Sequence, residues 1–305
     1  MELYLPVAGM SVNLFLVVGV GAMIGLLSGL VGVGGGFLLT PILMMIGVPP
    51  TNAAASEVCS LVGTSFSGTA VHFRMGNVDL KLGTILLMGG LSGSTIGVHI
   101  IKLLRTLGNA NFVITVFFVV VLGSVGSFMF LESLQSLRRG VLAPSATSSQ
   151  ERNYTLLKKL PFQMNFPRSN IRHSVFVPFM LCVLVGMLAA IMGVGGGFIM
   201  VPMMVYLLRM PMHVAVGTDL FQILFTCAGA TLMQAATNQT VDVFLALAVA
   251  TGSTIGAQVG ARLSRVLRGE QLRIVLASVV LATAVKMSLR LLIKPEILLS
   301  VVGTD

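Results

Sequence analysis

Long apolar runs separated by short polar segments dominate the chain. They cover residues 12–31, 58–71, 82–101, 112–131, 174–191, 221–236, 243–259 and 274–293. Several of these runs reach the roughly 20 residues that a helix needs to cross a ~30 Å hydrocarbon layer. The alternation of apolar and polar residues that a membrane β-barrel requires is absent. The pattern therefore predicts an all-α polytopic membrane protein.

Composition agrees with this class and excludes others. Charged residues make up 10% of the 305 residues, whereas a soluble domain carries about 25%. The net charge of +9 lies mainly in the loops, where it indicates membrane orientation rather than a nucleic-acid partner. The sequence contains no GxxxxGK[ST], HExxH, CxxC or GxSxG motif. We therefore predict no enzyme activity, catalytic residue, cofactor or metal site.

An internal repeat divides the chain into two homologous halves. The string "GVGGGF" begins at Gly32 and again at Gly193, and at this spacing of 161 residues Pro41 aligns with Pro202. A second string, "GSTIG", occurs at Gly93 and Gly252. We predict a first transmembrane repeat over residues 1–131, a basic linker over 132–173 and a second repeat over 174–305.

Each half is predicted to contain about three full crossings and a helical hairpin broken by Gly and Pro. Residues 37–46 could form only about 15 Å of helix, half a membrane. "GVPPTN" at Gly47 ends this segment, and a new helix is predicted from near Ala53; "LLRMPMH" at Leu207 has the same role in the second half. Short helices bounded by Gly and Pro are typical of the discontinuous helices of transporters.

Loop charges predict the orientation of the chain. Seven of the nine charged residues of the linker are basic, and the N-terminal segment has no Lys or Arg. By the positive-inside rule, the linker is expected in the cytoplasm and the N-terminus outside. Corresponding loops of the two halves carry opposite charge bias, which predicts inverted repeats. Three basic residues near the outer C-terminus argue weakly against inversion: Lys286, Arg290 and Lys294.

The broken hairpins are the candidate substrate site. Non-helical backbone at membrane depth must be sheltered by protein or line a watery cavity, and helix N-termini favour anions. We predict that substrate is bound by the two glycine strings and by polar residues that follow them. These residues are Gly34, Gly35, Gly36, Asn52, Ser56, Gly195, Gly196, Gly197, Thr218 and Gln222.

Two acids, Glu57 and Asp219, lie within apolar stretches, one residue out of register at the spacing of 161. Intramembrane carboxylates are costly and usually functional, so a coupling proton is one hypothesis. The alternative is an acid that complements a helix dipole, worth about 0.3–1 kcal/mol. We predict that both acids lie near the membrane midplane and line a shared cavity. Arg209 is either an anion counter-charge or an interfacial residue.

Other glycines fit close helix packing, because they recur every four residues on predicted helices. They are Gly21, Gly25, Gly29, Gly89, Gly93, Gly97, Gly252, Gly256 and Gly260. If the triple glycines also served packing alone, the chain would be a membrane scaffold or partner subunit without a translocation path. A transporter should instead have a polar cavity between the repeats.

The motifs resemble those of the sulfite exporter TauE/SafE family of membrane permeases. The resemblance spans residues 12–293 and is carried by "GLLSGLVGVGGGFLLTPIL", "GNVDL", "GMLAAIMGVGGGFIMVPMM", "VAVGTDLFQ", "TVDV" and "GSTIGAQVGARL". It implies secondary transport of small sulfur-containing anions such as sulfite, thiosulfate or sulfonates, and a location in a bacterial plasma membrane. The expected partners are thus a small anion, a coupling proton and the lipid bilayer.

Overall fold

The computed structural model describes residues 2–31, 36–139, 163–166, 171–208, 210–263 and 269–293. These residues form two short antiparallel strand pairs, β1 (Glu2–Leu5) with β2 (Met10–Asn13) and β3 (Gln163–Phe166) with β4 (Ile171–Ser174). They also form ten helices: α1 (Leu14–Val31), α2 (Gly36–Ile46), α3 (Pro50–Arg74), α4 (Leu80–Thr106), α5 (Ala110–Arg139), α6 (Phe176–Met192), α7 (Gly197–Tyr206), α8 (Met212–Met233), α9 (Val243–Leu263) and α10 (Gly269–Ile293). A π-helix over Gln234–Asn238 extends α8.

The helices confirm the predicted all-α membrane class. Four described segments are long and apolar enough to cross a membrane: residues 80–106, 110–127, 212–238 and 243–260. Large apolar side chains point outward, and Phe15 and Leu232 are 72% and 71% exposed. Exposed apolar side chains of this size are favourable in the hydrocarbon of a membrane and unfavourable in water. The chain is therefore a multi-pass membrane protein.

Helix α3 is long enough to span a membrane although its first third is polar. Its 25 residues extend over roughly 37 Å. The polar side chains of its first turns, including Asn52, Ser56 and Glu57, are buried among other helices. Because protein surrounds these polar side chains, the helix can extend on the N-terminal side of the apolar run 58–71, as far as Pro50.

Small residues bring four helices into close contact. A Cβ atom on Gly93 of α4 would lie 2.0 Å from the carbonyl oxygen of Val183 in α6, and one on Gly256 of α9 would lie 2.0 Å from that of Ala22 in α1. No side chain fits such a gap, so the packing interpretation of these glycines is confirmed. The same holds for Gly21, Gly25, Gly89, Gly97 and Gly252.

These contacts fix the relative directions of the helices. Gly89 lies beside Phe179 and Gly97 beside Met187, so α4 and α6 run parallel. Contacts of Gly252 with Val18 and of Gly256 with Ala22 make α9 parallel to α1. The end of α4 meets the end of α8, just before α9 begins, because Asn238 Nδ2 donates to the Val98 carbonyl oxygen at 3.3 Å. Helix α4 is thus antiparallel to α9, and consequently α6 runs opposite to α1.

The bundle has two ends, which we name by the segments that lie there. At the N-terminal end, α3 and α5 begin side by side, since Thr51 N–H donates to Asn111 Oδ1 at 3.3 Å. Helix α9 also begins there, and Asp242 Oδ2 accepts a 3.2 Å hydrogen bond from Val7 N–H of the β1–β2 turn. At the linker end, α3 ends and α4, α6 and α8 begin.

The re-entrant segment differs in detail from the sequence prediction. A Cβ atom on Gly47, which follows α2, would lie 3.6 Å from Met10 of β2, so α2 returns to the N-terminal end. The hairpin is therefore α1, which ends at Val31, with α2, which begins at Gly36, and α3 starts at Pro50 as a separate helix. Helices α3, α4 and α5 follow it in the first half, and α4 and α5 contain segments long and apolar enough to cross a membrane.

The predicted linker is described only in part. Residues 132–139 continue α5, and β3 and β4 occupy residues 163–166 and 171–174. The remainder of 132–173 lies outside the described residues. The division into residues 1–131, 132–173 and 174–305 therefore stays a prediction.

Candidate functional site

The second glycine string breaks the chain between α6 and α7. Gly193, Gly195 and Gly196 have φ angles of 75°, 71° and 83°, in the left-handed region that side-chain-bearing residues avoid. Gly196 caps α7, which begins at Gly197. The glycines thus permit a tight reversal within the bundle. Their counterparts Gly34 and Gly35 lie outside the described residues.

The starts of α2 and α7 meet at the middle of α3. A Cβ atom on Gly36 would lie 3.1 Å from both the Val194 carbonyl oxygen and the Leu61 side chain. The rings of Phe37 and Phe198 stack with centroids 5.4 Å apart. The starts of α2 and α7, one from each half of the chain, therefore lie against each other.

A cavity of about 380 Å³ adjoins this meeting point. Its walls come from both halves, with residues of α1, α2 and α3 facing residues of α7, α8 and α9. Gly36 and Gly197 line it, as do several apolar side chains: Leu39, Leu61, Val194, Val201, Leu220 and Ile223. An open space between packed helices is the kind of place where a ligand can bind.

Two buried acids line the same cavity. Glu57 and Asp219 are each only 2% exposed, and Glu57 Oε2 and Asp219 Oδ1 have no hydrogen-bond partner among the described residues. Hydroxyl groups of Ser28, Thr64, Ser65, Ser67, Ser253 and Thr254 add further polar surface. Buried polar atoms without partners are rare in folded proteins, so these oxygens are candidates for contact with a proton or ligand.

The acids lie at different levels of the bundle. Helices α3 and α8 are antiparallel, with Gly68 beside Leu220 and His72 beside Gly217. Asp219 is therefore level with about residue 69 of α3, and the axial distance from Glu57 is about 18 Å. The two acids line the same cavity, one toward each end of it, and their depth in the membrane stays a prediction.

Ser56 and Thr218 tie the two halves together. The hydroxyl of Ser56 accepts a 2.9 Å hydrogen bond from Asp242 N–H, and that of Thr218 accepts a 3.1 Å bond from Asp79 N–H. Each aspartate also caps the helix that follows it: Asp79 Oδ1 accepts from Leu82 N–H and Asp242 Oδ1 from Leu245 N–H, at 3.3 and 3.2 Å. The structure gives these hydroxyls a backbone partner outside the cavity wall.

The remaining predicted binding residues also lie outside the wall. Asn52 Oδ1 accepts a 3.2 Å hydrogen bond from the Thr51 hydroxyl, and Gln222 Nε2 donates a 2.9 Å bond to the Thr226 hydroxyl. Gly195 and Gly196 pack against Leu61 and Val185 respectively. Arg209 lies outside the described residues. For these positions a role in binding stays a prediction.

Several lining residues were not among those predicted to bind substrate. Gln258 and Val71 are exposed and His72 is partly exposed, and all three line the cavity near the linker end. Ser253 and Thr254 belong to the "GSTIG" string, whose glycines pack against α1. The signal that could have identified them is the pair of hydroxyls between the packing glycines. In the described part of the chain, no group of three or more His, Cys, Asp or Glu side chains is placed to hold a metal.

Comparison with known proteins identifies the family to which the chain belongs. The family model described as "Sulfite exporter TauE/SafE" matches residues 17–287. "Probable membrane transporter protein YunE" of Bacillus subtilis is 28% identical, over 80% of this chain and 86% of that protein. "Probable membrane transporter protein YjnA" of the same organism is 26% identical, over 91% of this chain and 100% of that protein. No solved structure matches the chain significantly. The match over nearly the whole chain shows that this membrane protein belongs to the sulfite exporter TauE/SafE family.

Proposed function

We propose that the protein is a secondary transporter of small sulfur-containing anions such as sulfite, thiosulfate or sulfonates. The substrate binds in the cavity beside the two glycine breaks and is exchanged across a bacterial plasma membrane. The family supports membrane transport in general. The choice of substrate class follows from the family description.

The observation that carries the proposal is the cavity between the halves. It adjoins the starts of both α2 and α7, and Gly36 and Gly197 at these starts line it. Free N–H groups at helix N-termini attract anions. The main alternative, a scaffold without a translocation path, predicts a solid apolar interface between the halves. A partly polar cavity of about 380 Å³ favours transport.

Alternating access through inverted repeats is the mechanism that we propose. Helix α6 runs opposite to α1, and α8 runs opposite to α3, which supports inversion. The cavity extends to exposed Val71 near the linker end, whereas Asn52 and Ser56 at the N-terminal end are buried. If the two halves exchanged their conformations, the linker end would close and the N-terminal end would open. The linker end is cytoplasmic in this proposal because its loops are rich in Lys and Arg.

Glu57 and Asp219 are proposed to couple transport to protons. Both acids have an unpartnered buried oxygen in the cavity. An ionised carboxylate in such a place would lack the partner that buried charges require. Protons taken up from one side and released on the other would then move together with the substrate.

A flux assay on purified protein in liposomes tests this function. Sulfite, thiosulfate and short sulfonates are supplied on one side, with a pH gradient and with the membrane potential held at zero. We expect faster flux of at least one anion than in protein-free liposomes, and a dependence on the gradient. Flux of none of them, in either direction, would contradict the transport proposal.

A further inference from the structure

A positively charged side chain lies on the outer face of α10, among apolar residues. Lys286 is exposed, and so are Val285 and Leu289, at 53% and 49%. This face is directed away from the rest of the bundle and, in a membrane protein, toward lipid. Charged side chains in such places are costly, and they are usually paired. The position of Lys286 therefore points to a partner.

Lys286 lies within the apolar layer rather than at its edge. The Val280 side chain lies 2.9 Å from the Cβ position of Gly126 in α5, and Lys286 follows about 9 Å further along α10. Helix α10 runs from the linker end, where α9 ends, toward the N-terminal end, where α5 begins. Roughly 24 Å of helix separates Gly126 from that beginning. Lys286 is therefore about 15 Å from the start of α5, level with its apolar segment 110–127.

The helices that pack against α10 supply no acid for this charge. They are α5, α1 and α2, and residues 110–131, 14–31 and 36–46 contain no Asp or Glu. Among the described residues, Lys286 forms no hydrogen bond or ion pair. The positions one turn away within α10 are not acidic either: Ala282, Thr283, Leu289 and Arg290. A partner for Lys286 must therefore come from outside these helices.

A groove of about 420 Å³ runs along the same face of α10. It is lined by Ser278, Leu281, Ala282, Val285, Lys286 and Leu289. These residues extend over roughly 16 Å of helix, and four of the six have purely hydrocarbon side chains. A long apolar groove with one cation matches a ligand that has a hydrocarbon chain and a negatively charged head.

We propose that this groove binds an anionic phospholipid from the leaflet at the N-terminal end. The lipid phosphate lies beside Lys286, and one acyl chain lies along Val285, Ala282 and Leu281 toward the middle of the bilayer. The long side chain of lysine extends toward the headgroups, and the bilayer thins locally to meet it. An ammonium–phosphate contact is a charge-assisted hydrogen bond, which is stronger than a neutral one. This lipid contact is independent of which substrate the protein transports.

Two features favour a lipid over a second copy of the chain. Arg290 follows Lys286 by one turn, so a second basic residue of α10 lies nearer to the N-terminal end. In a symmetric dimer each protomer presents the same patch, so this face would bring like charges together in an apolar place. An anionic phospholipid instead supplies both the opposite charge and the hydrocarbon.

Fluorescence quenching by brominated lipids tests the proposal. The chain has no Trp, so Leu289→Trp places a single reporter at the groove. The protein is reconstituted in mixtures of phosphatidylglycerol and phosphatidylcholine, with bromine on the chains of one lipid at a time. We expect this site to prefer phosphatidylglycerol, and Lys286→Gln in this background to lower the preference by about fivefold. Lys286→Arg should retain it.

Leu247→Trp provides the matched control. Leu247 is 59% exposed on α9 near the same end of the bundle, and residues 242–261 contain no Lys or Arg. This reporter should be quenched nearly equally by the two lipids. A second measurement needs no Trp. Added phosphatidylglycerol should raise the unfolding temperature of the unaltered protein more than phosphatidylcholine does, and Lys286→Gln should remove the difference.

Three outcomes would overturn the proposal. Equal preference at Leu289→Trp and Leu247→Trp would mean that the lipids in the groove are ordinary annular lipids. A preference unchanged by Lys286→Gln would mean that this lysine does not contact the phosphate. Absence of quenching by either lipid at Leu289→Trp would mean that protein covers the groove, as in a dimer.

Discussion

Ser56 accepts a 2.9 Å hydrogen bond from the backbone N–H of Asp242, which lies 186 residues later in the chain. Thr218 and Asp79 form the same contact with the roles of the two halves exchanged. Each central helix is therefore held to the capped turn of the opposite half. This reciprocal pair also aligns Ser56 with Thr218, so the two halves correspond here at a spacing of 162 residues.

Removal of the Ser56 hydroxyl should destabilise the protein. Ser56 is 1% exposed, and Ser56→Ala would leave the N–H of Asp242 without this acceptor in a buried place. We expect the free energy of unfolding to fall by about 1–3 kcal/mol, measured by denaturation in mixed micelles. Ser124→Ala is the control, because that hydroxyl bonds only within its own helix, to Val121 O at 3.0 Å. Equal effects of the two substitutions would contradict the cross-half role.

The glycine contacts between α4 and α6 should tolerate no side chain. In Gly93→Ala, the new Cβ atom would lie 2.0 Å from Val183 O, and backbone cannot move aside as a side chain can. We expect the free energy of unfolding to fall by about 1–3 kcal/mol or more. We also expect the variant to elute from gel filtration as more than one species. Gly19→Ala is the control, since nothing lies within 4 Å of its Cβ position. Normal behaviour of Gly93→Ala would show that the helices are farther apart.

The two acids should each contribute one proton to transport. With the membrane potential held at zero, each coupled proton permits about tenfold accumulation per unit of pH gradient. Glu57→Gln and Asp219→Asn should each lower the accumulation ratio by about tenfold per pH unit, while exchange without a gradient continues. Accumulation ratios in liposomes measure this. A ratio unchanged in both variants would leave the acids with only a structural role.

The membrane class was predictable from the sequence because it depends on hydropathy. The equivalence of Glu57 and Asp219 was not, because the glycine strings align at 161 and one extra residue enters the second half before Thr218. Only the hydrogen bonds to Asp79 and Asp242 fix that register. Strings of identical letters carry no information about such cross-half contacts.

The position of the cavity was predictable only in part. Gly36 and Gly197 were expected to lie beside it, and they do. The start of α3 was predicted near Ala53, whereas the helix begins at Pro50, because proline fits the first turn of a helix. A hydropathy pattern cannot separate polar residues in a loop from those that face a neighbouring helix. The positions of Glu57 and Asp219 toward opposite ends of the cavity follow only from the antiparallel contacts of α3 with α8.

The N-terminal end should be closed by a polar cluster in the π-helix that extends α8. Asn238 Nδ2 donates to Gln234 Oε1 at 2.6 Å, Gln234 Nε2 donates to Ala190 O at 3.3 Å, and Arg105 donates to the Asn238 carbonyl oxygen. Short π-helical segments are frequent at functional sites. If this cluster is a gate, Asn238→Ala should favour opening at this end. The native thiol of Cys227, 2% exposed, should then react faster with a maleimide, in a background with Cys59 and Cys182 replaced by serine.

Asn109→Ala provides the control for the gate, because Asn109 is exposed at the same end of the bundle. It should leave the reaction of Cys227 unchanged. A lower unfolding temperature of Asn238→Ala without faster labelling would indicate a merely structural cluster.

The linker end should face the cytoplasm. The turn between α3 and α4 at this end is flanked by Arg74 and Lys81, whereas the turn between α8 and α9 at the opposite end, residues 239–242, contains no Lys or Arg. Basic loops are retained on the cytoplasmic side. Met75→Cys should therefore react with an impermeant maleimide in inside-out vesicles and be protected in right-side-out vesicles. Asn109→Cys, between α4 and α5, should show the opposite pattern. The reverse result at both positions would mean that the cavity faces the outside, and that the basic loops do not set the orientation of this chain.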